Sequence, residues 1–229
     1  GVGYSFARSI NPKLVYCSIT GFGVDSQGPN KAMDAIIQAL SGVMQVSGSP
    51  NDPPTRIGLP VADMITPLFG VIGILSALHM ARLTGEGQQV DVSMLGSLTA
   101  LMAGEGFDLL ESLGIPLRTG PTVARLAPFG VYATQTGHVA ICAPTDVFAA
   151  GLFRALAQPE LSRDPRFATR DARVANGPQL DALIEVWTRA RPTDVITEAL
   201  LAQGVPAAEV RSPRAAVRDA RVLAREECV

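Results

Sequence analysis

At 229 residues, with 47% hydrophobic and 17% charged side chains, the chain is long enough for one large or two small domains and apolar enough to bury a core, which excludes a disordered tail. Its 19 basic and 21 acidic residues leave a formal charge of -2, which supplies no cationic field for nucleic acid or an anionic membrane surface. Three cysteines (Cys17, Cys142, Cys228) in no metal or redox spacing, and two histidines (His79, His138), exclude a histidine-rich metal centre and point to a reduced, cytoplasmic compartment.

The apolar run 14–19, ended by Gly21 and Gly23, predicts a strand buried on both faces, followed by a loop with Gly28 and Pro29. Apolar residues at 33, 36, 37, 40, 43 and 44 predict a helix over 32–46, and a Ser/Gly/Pro/Asn-rich loop then runs to Pro60. Asp63 opens a strongly apolar helix. Its run 64–81 approaches membrane-spanning length, but it contains Thr66, Pro67, Gly70, Gly73 and His79 and lacks basic residues on its N-terminal side, so it is expected to be a buried helix. Gly70 and Gly73 weaken that helix and mark a close approach, by helix packing or by a ligand.

Alternation over 89–93 predicts a second strand, and 95–113 a further helix; strands alternating with helices predict a parallel α/β layer. The Gly/Pro-rich stretch 114–121 marks a seam. Residues 1–110 hold 5 basic and 8 acidic side chains, whereas 111–229 hold 14 and 13, so the second region is the more solvated. There, 131–133 and 138–142 predict a hairpin turning at 135–137, with helices at 146–157, 178–190, 194–203 (ended by Gly204) and 213–226 (capped by Ser212). The expected organisation is α/β over 1–113, a linker over 114–126 and a small α+β domain over 127–229.

Three places invite chemistry. Asp63 sits where the free N–H groups and dipole of a helix start favour an anion; on pattern alone it is an N-cap. Lys31, one of two lysines among 17 arginines, precedes a helix beside Met33 and Asp34, either as a solvated helix-start cation or as a contact for a phosphate or pyrophosphate. Asp91 and Ser93 share a strand, but no G-x-S-x-G elbow exists to make a hydrolase of them, and Gly21-Phe22-Gly23 is a turn without a dinucleotide fingerprint.

In order along the chain, Asn11-Pro12-Lys13-Leu14-Val15-Tyr16-Cys17-Ser18-Ile19-Thr20-Gly21-Phe22-Gly23, Ala39-Leu40-Ser41-Gly42, Val61-Ala62-Asp63 and Gly85-Glu86-Gly87-Gln88-Gln89-Val90-Asp91-Val92-Ser93-Met94-Leu95 closely resemble the family III CoA-transferases, which include formyl-CoA and carnitine CoA-transferases and 2-methylacyl-CoA racemases. The resemblance continues through Ala127-Pro128-Phe129-Gly130-Val131-Tyr132, Gly137-His138 and Gly204-Val205-Pro206-Ala207. It implies a Rossmann-like large α/β domain, incomplete here, plus a smaller α+β domain. Family members are longer at both ends, and this chain begins with Gly1 rather than Met, so it resembles an internal fragment.

The resemblance also implies a site. Asp63 stands where the family has its catalytic aspartate; Lys31, Ala32, Met33 and Asp34 fall where members line the CoA pocket, and Met94 at a further CoA contact. The implied substrates are an acyl-CoA and a small carboxylic acid, with no permanent cofactor and no metal. The implied partner is a second copy in an interlocked homodimer, with neither nucleic acid nor membrane. Racemases of the family use a histidine–aspartate pair that here reads Met33-Asp34, and methionine cannot exchange a proton. That favours transfer over the alternatives, an epimerase using Asp34 with another acid or a non-catalytic CoA-binding subunit. The stretch Thr122-Val123-Ala124-Arg125-Leu126-Ala127-Pro128 departs from the glycine-rich loop of oxalate-using members, which counts against the formyl-CoA and oxalate pair.

Overall fold

The computed structural model describes residues 2–26 and 31–226, so the Gly28-Pro29 part of the expected loop, and Cys228, lie outside the described residues. The chain divides into two compact units, 1–120 and 121–229.

In the first unit, α1 (Tyr4–Ile10) leads into β1 (Tyr16–Thr20), followed by α2 (Asp34–Leu40), α3 (Val43–Val46), α4 (Val61–Thr84), β2 (Gln89–Ser93), α5 (Met94–Glu105) and α6 (Phe107–Ser112). β1 and β2 pair in parallel, from Tyr16 opposite Gln89 to Thr20 opposite Ser93, and α4 lies on both strands as the crossover helix. This is the parallel α/β layer that the alternation predicts. The predicted helices over 32–46 and 95–113 are each broken at a glycine in the left-handed region: Gly42 (φ +86°) separates α2 from α3, and Gly106 (φ +64°) separates α5 from α6. Apolar periodicity runs on through such positions, whereas the backbone turns there.

The approach marked by Gly70 and Gly73 is helix on sheet rather than helix on helix. A Cβ on Gly70 would sit 3.2 Å from Ile19 Cδ1 on β1, and one on Gly73 would sit 2.6 Å from Val90 Cγ1 on β2. With Ala62, Thr66 and Ala77, these glycines form the small-residue face on which α4 settles. The expectation of a buried helix holds for one face only: Met64, Leu68, Ile72, Leu75 and Leu83 on its other sides are exposed. β1 is likewise half-buried rather than covered on both faces, with Ile19 exposed. A pair of strands offers a surface for only one face of a helix, so an apolar helix cannot bury its whole circumference against it. Among the described residues, α4 is the one helix long and apolar enough to cross a membrane.

The second unit is an antiparallel sheet of order β3 (Thr122–Val123), β4 (Leu126–Ala133), β5 (His138–Cys142) and β6 (Ala207–Glu209). Thr122 and Val123, expected in a linker, are thus a strand. Ala133 pairs with His138, and Thr134 N–H donates to Gly137 C=O, closing the expected hairpin. The helices are α7 (Asp146–Ala155), α8 (Arg170–Ala175), α9 (Gly177–Arg189), α10 (Thr193–Ala202), α11 (Pro213–Ala216) and α12 (Ala220–Ala224), with a 3-10 turn at Pro159–Arg163. The predicted helix over 213–226 is two short ones, although Ser212 caps the first by accepting from Ala215 N–H. Val139, Ile141, Leu152, Phe153, Phe167, Leu180, Ile184, Ile196 and Leu200 meet in one core, with α9 packed on β4, α10 on β5 and β6, and α7 on α10.

At the edge of that core the buried Tyr132 O–H donates to Asp181 Oδ1 at 2.6 Å. Burial raises the Asp181 carboxyl above its ordinary range, nearby Glu185 adds to this and the Tyr132 bond opposes it; burial and the same carboxylate hold the phenol far above its own range. Folded Asp181 therefore binds its proton more tightly than the unfolded chain does. Its contribution to stability is full below about pH 4 and is lost as the pH rises through its raised value. Asp181→Asn keeps an acceptor for Tyr132 and removes the charge. At pH 7 the variant is expected to melt at or above the parent's temperature in a thermal scan, by a margin that shrinks toward pH 4. Melting several degrees below the parent at pH 7 contradicts this account.

Candidate active site

Asp63 is the third residue of α4, within its first turn, and its side chain is exposed. It does not act as the cap expected of it. Pro60 occupies the N-cap position, and among the described residues Asp63 makes no hydrogen bond or ion pair. The capping bond comes from a different helix: Asp34 Oδ1, at the start of α2, accepts the Ala62 N–H at 2.8 Å. Asp34 Oδ2 accepts from Gln38 Nε2 at 2.6 Å, so both carboxylate oxygens are engaged.

The ends of four elements converge here. Ile37 and Val43 from α2 and α3, Ala62 from α4 and Leu98 from α5 form one buried cluster, against which Phe22, Ala32, Val61 and Met94 pack. Leu95 N–H, in the first turn of α5, donates to Gly21 C=O just past β1. Gly21 must be glycine for this convergence, because a Cβ there would lie 2.3 Å from Ala32 Cβ. The structure thus gathers Ala32, Asp34, Met94 and the residue preceding Asp63 around one cluster. Lys31 and Met33 are exposed beside it, Met33 as the α2 N-cap residue with 72% of its surface open, and Lys31 has no partner among the described residues. Ends of parallel strands that open onto helix N-termini are the usual binding crevice of α/β sheets.

Asp91 and Ser93 have structural tasks. Asp91 Oδ2 accepts from Val24 N–H at 3.0 Å and holds the turn after β1, while Ser93 Oγ caps α5 by accepting from Gly96 N–H at 2.9 Å. Among the described residues no group of three or more metal-ligating side chains exists. Two open clefts, of about 970 Å³ beside Thr193, Asp194 and Glu198 and of about 440 Å³ beside Ser41, Met102 and Phe107, contain none of the candidate residues.

Gln38 went unnoticed in the sequence. It is wholly buried, with Oε1 accepting from Ile57 N–H at 2.9 Å and Nε2 donating to Leu59 C=O at 3.1 Å as well as to Asp34. Its signal is faint: a glutamine four residues after an aspartate, on a helix whose other inward positions are apolar.

The model of the family described as CoA-transferase family III matches residues 1–229. The chain is 33% identical over 231 residues to the succinyl-CoA–D-citramalate CoA-transferase of Chloroflexus aurantiacus, covering all of this chain and 58% of that one. It is 35% identical over 213 residues to the succinyl-CoA:mesaconate CoA-transferase of Haloarcula marismortui, covering 91% of this chain and 53% of that one. A crystal structure of a CAIB/BAIF family protein from Brucella suis superimposes with a TM-score of 0.81 at 36% identity, over 98% of this chain and 60% of that one. The chain thus spans just over half the length of the relatives it matches. Parallel strands crossed by a helix that bears Asp63, and matches running the length of the chain, lead to one assignment: this chain belongs to CoA-transferase family III.

Proposed function

We propose that the protein of which this chain forms part or all transfers coenzyme A from an acyl-CoA to a carboxylic acid, with Asp63 as nucleophile. The observation that carries the reading is Asp63 itself: an exposed carboxylate, unpartnered among the described residues, in the first turn of a 24-residue helix, beside the α2–α3–α4–α5 cluster. One Asp63 oxygen attacks the thioester carbonyl carbon, the C–S bond breaks, and CoA leaves as thiolate from a mixed aspartyl anhydride. The thiolate attacks the aspartyl carbonyl of that anhydride, releasing the donor acid as carboxylate and leaving an aspartyl-CoA thioester. An incoming carboxylate attacks this thioester to form a second anhydride and free thiolate, and attack of the thiolate on the acceptor's carbonyl yields the new acyl-CoA and restores Asp63. The steps conserve protons and need no permanent cofactor.

The helix-end dipole favours negative charge where the carboxylate departs and returns, and the apolar cluster around Ala62 and Met94 keeps water off one side of the anhydride. Lys31 is suited to the CoA phosphates, with Ala32, Met33, Asp34 and Met94 as the pocket wall. The relatives' names suggest a donor such as succinyl-CoA and C5 dicarboxylic acceptors, and a second copy of the chain as partner belongs to the same reading. Transfer is favoured over epimerisation because Met33 cannot carry a proton and Asp34 has both oxygens engaged.

The test is peptide-level mass spectrometry of the full-length protein after incubation with succinyl-CoA and other acyl-CoAs and trapping with hydroxylamine. The expected result is a hydroxamate on Asp63. With every donor unreactive at Asp63, the reading falls.

A further inference from the structure

Among the described residues Asp63 has no side-chain bond to aim it, so its direction is set by the backbone at the start of α4. That backbone is held from outside. We propose that Gln38 is a positioning residue for Asp63, acting through the segment 57–62 and through Asp34; the proposal rests on the reading of Asp63 as nucleophile.

One buried amide and one carboxylate, both on α2, grip the approach to α4 at three points: Ile57 N–H, Leu59 C=O and Ala62 N–H. The amide cannot be turned over. Reversed, its oxygen would face Leu59 C=O and Asp34 Oδ2, and its nitrogen would face Ile57 N–H. Only a neutral side chain with an acceptor and a donor in this order joins the loop to the carboxylate that caps α4. The grip is buried on α2 while Asp63 stays open to a ligand, which separates holding from reacting. A reacting carboxylate must meet the thioester carbon near attack distance, and a displacement of about 1 Å there costs about 100-fold in rate.

The experiment compares Gln38→Glu, Asp34→Asn and the double variant in the full-length protein. Gln38→Glu keeps the size and the acceptor for Ile57 N–H but sets an oxygen against Asp34 Oδ2. Asp34→Asn, the milder change, keeps an acceptor for Ala62 N–H but sets an amide nitrogen against Gln38 Nε2. The double variant restores a donor–acceptor pair between the two positions with its direction reversed. Three quantities are read: kcat and KM per folded molecule, the rate of Asp63 hydroxamate formation, and amide-hydrogen exchange at Ala62.

Each single variant is expected to lose at least about tenfold in kcat and in labelling rate. KM for the acyl-CoA should stay within about threefold in Gln38→Glu, whose residue is not part of the pocket wall, Ala62 should exchange faster in both singles, and the double variant should recover a substantial part of the kcat. If kcat per folded molecule stays within twofold in both singles, or if the double variant is slower than either, Gln38 is a packing residue and the proposal falls while the nucleophile reading stands. A parent protein that forms no Asp63 adduct overturns both.

Discussion

Replacing Asp63 with asparagine is expected to abolish covalent labelling and to lower transfer by about 10⁴-fold or more, the scale seen when a nucleophile is removed from a working site. Folding should hardly change. The reason is specific to this helix start: Asp34, not Asp63, accepts the Ala62 N–H, so no capping bond is lost when residue 63 becomes an amide. What disappears is an exposed charge near the helix-end dipole, an interaction of about 0.3–1 kcal/mol. Asparagine also preserves the shape of the side chain, so a lost rate reports chemistry and not packing. The measurement is CoA transfer from succinyl-CoA to mesaconate or citramalate by mass spectrometry, alongside a denaturant melt of the same sample. Transfer within tenfold of the parent would remove Asp63 from the mechanism, and the exchangeable carboxylate would have to be sought elsewhere.

This separation of the cap from the proposed nucleophile shows where the sequence was readable and where it was not. The apolar runs, the hairpin at Thr136-Gly137 and the small residues of α4 all carry their meaning in local periodicity and composition, and each appears in the structure close to its expected place. Asp63 was legible as a residue at a helix start, but its capping role was assigned wrongly. A local pattern says that an N–H needs an acceptor there and nothing about an acceptor 28 residues earlier in the chain. Gln38 was invisible for the same reason, since its partners Ile57 and Leu59 lie about twenty residues away. Burial of α4 was overestimated because hydropathy measures what a helix would bury given a surface, while the described strands supply a surface for one face only.

In the second unit the largest effect is expected at Arg173, a residue with no pattern to mark it. Its side chain is 1% exposed, at the heart of α8. Nε donates to Ala127 C=O on β4 at 3.2 Å, one terminal nitrogen to Phe167 C=O at 3.2 Å, and the other to Pro144 C=O at 3.0 Å and Asp146 Oδ1 at 2.8 Å. One planar group therefore ties the sheet, the chain after β5, the start of α7 and the segment before α8. A single lysine ammonium could not reproduce the fork. Arg173→Met fills much of the volume but takes the donor from two buried carbonyls, those of Ala127 and Phe167, at about 1–3 kcal/mol each before relaxation, and from the half-buried Pro144 carbonyl. Removing one member of a buried charged network costs about 3–5 kcal/mol, a large share of the roughly 5–15 kcal/mol that holds a domain folded. The ion pair itself is the smaller part, because Asp146 is 72% exposed and water competes for it. Denaturant unfolding should thus show Arg173→Met losing about 3 kcal/mol or more, Arg173→Lys less, and Asp146→Asn under about 1 kcal/mol. Were Asp146→Asn to cost as much as Arg173→Met, the carbonyl fork would be incidental and the charge pair the true tie.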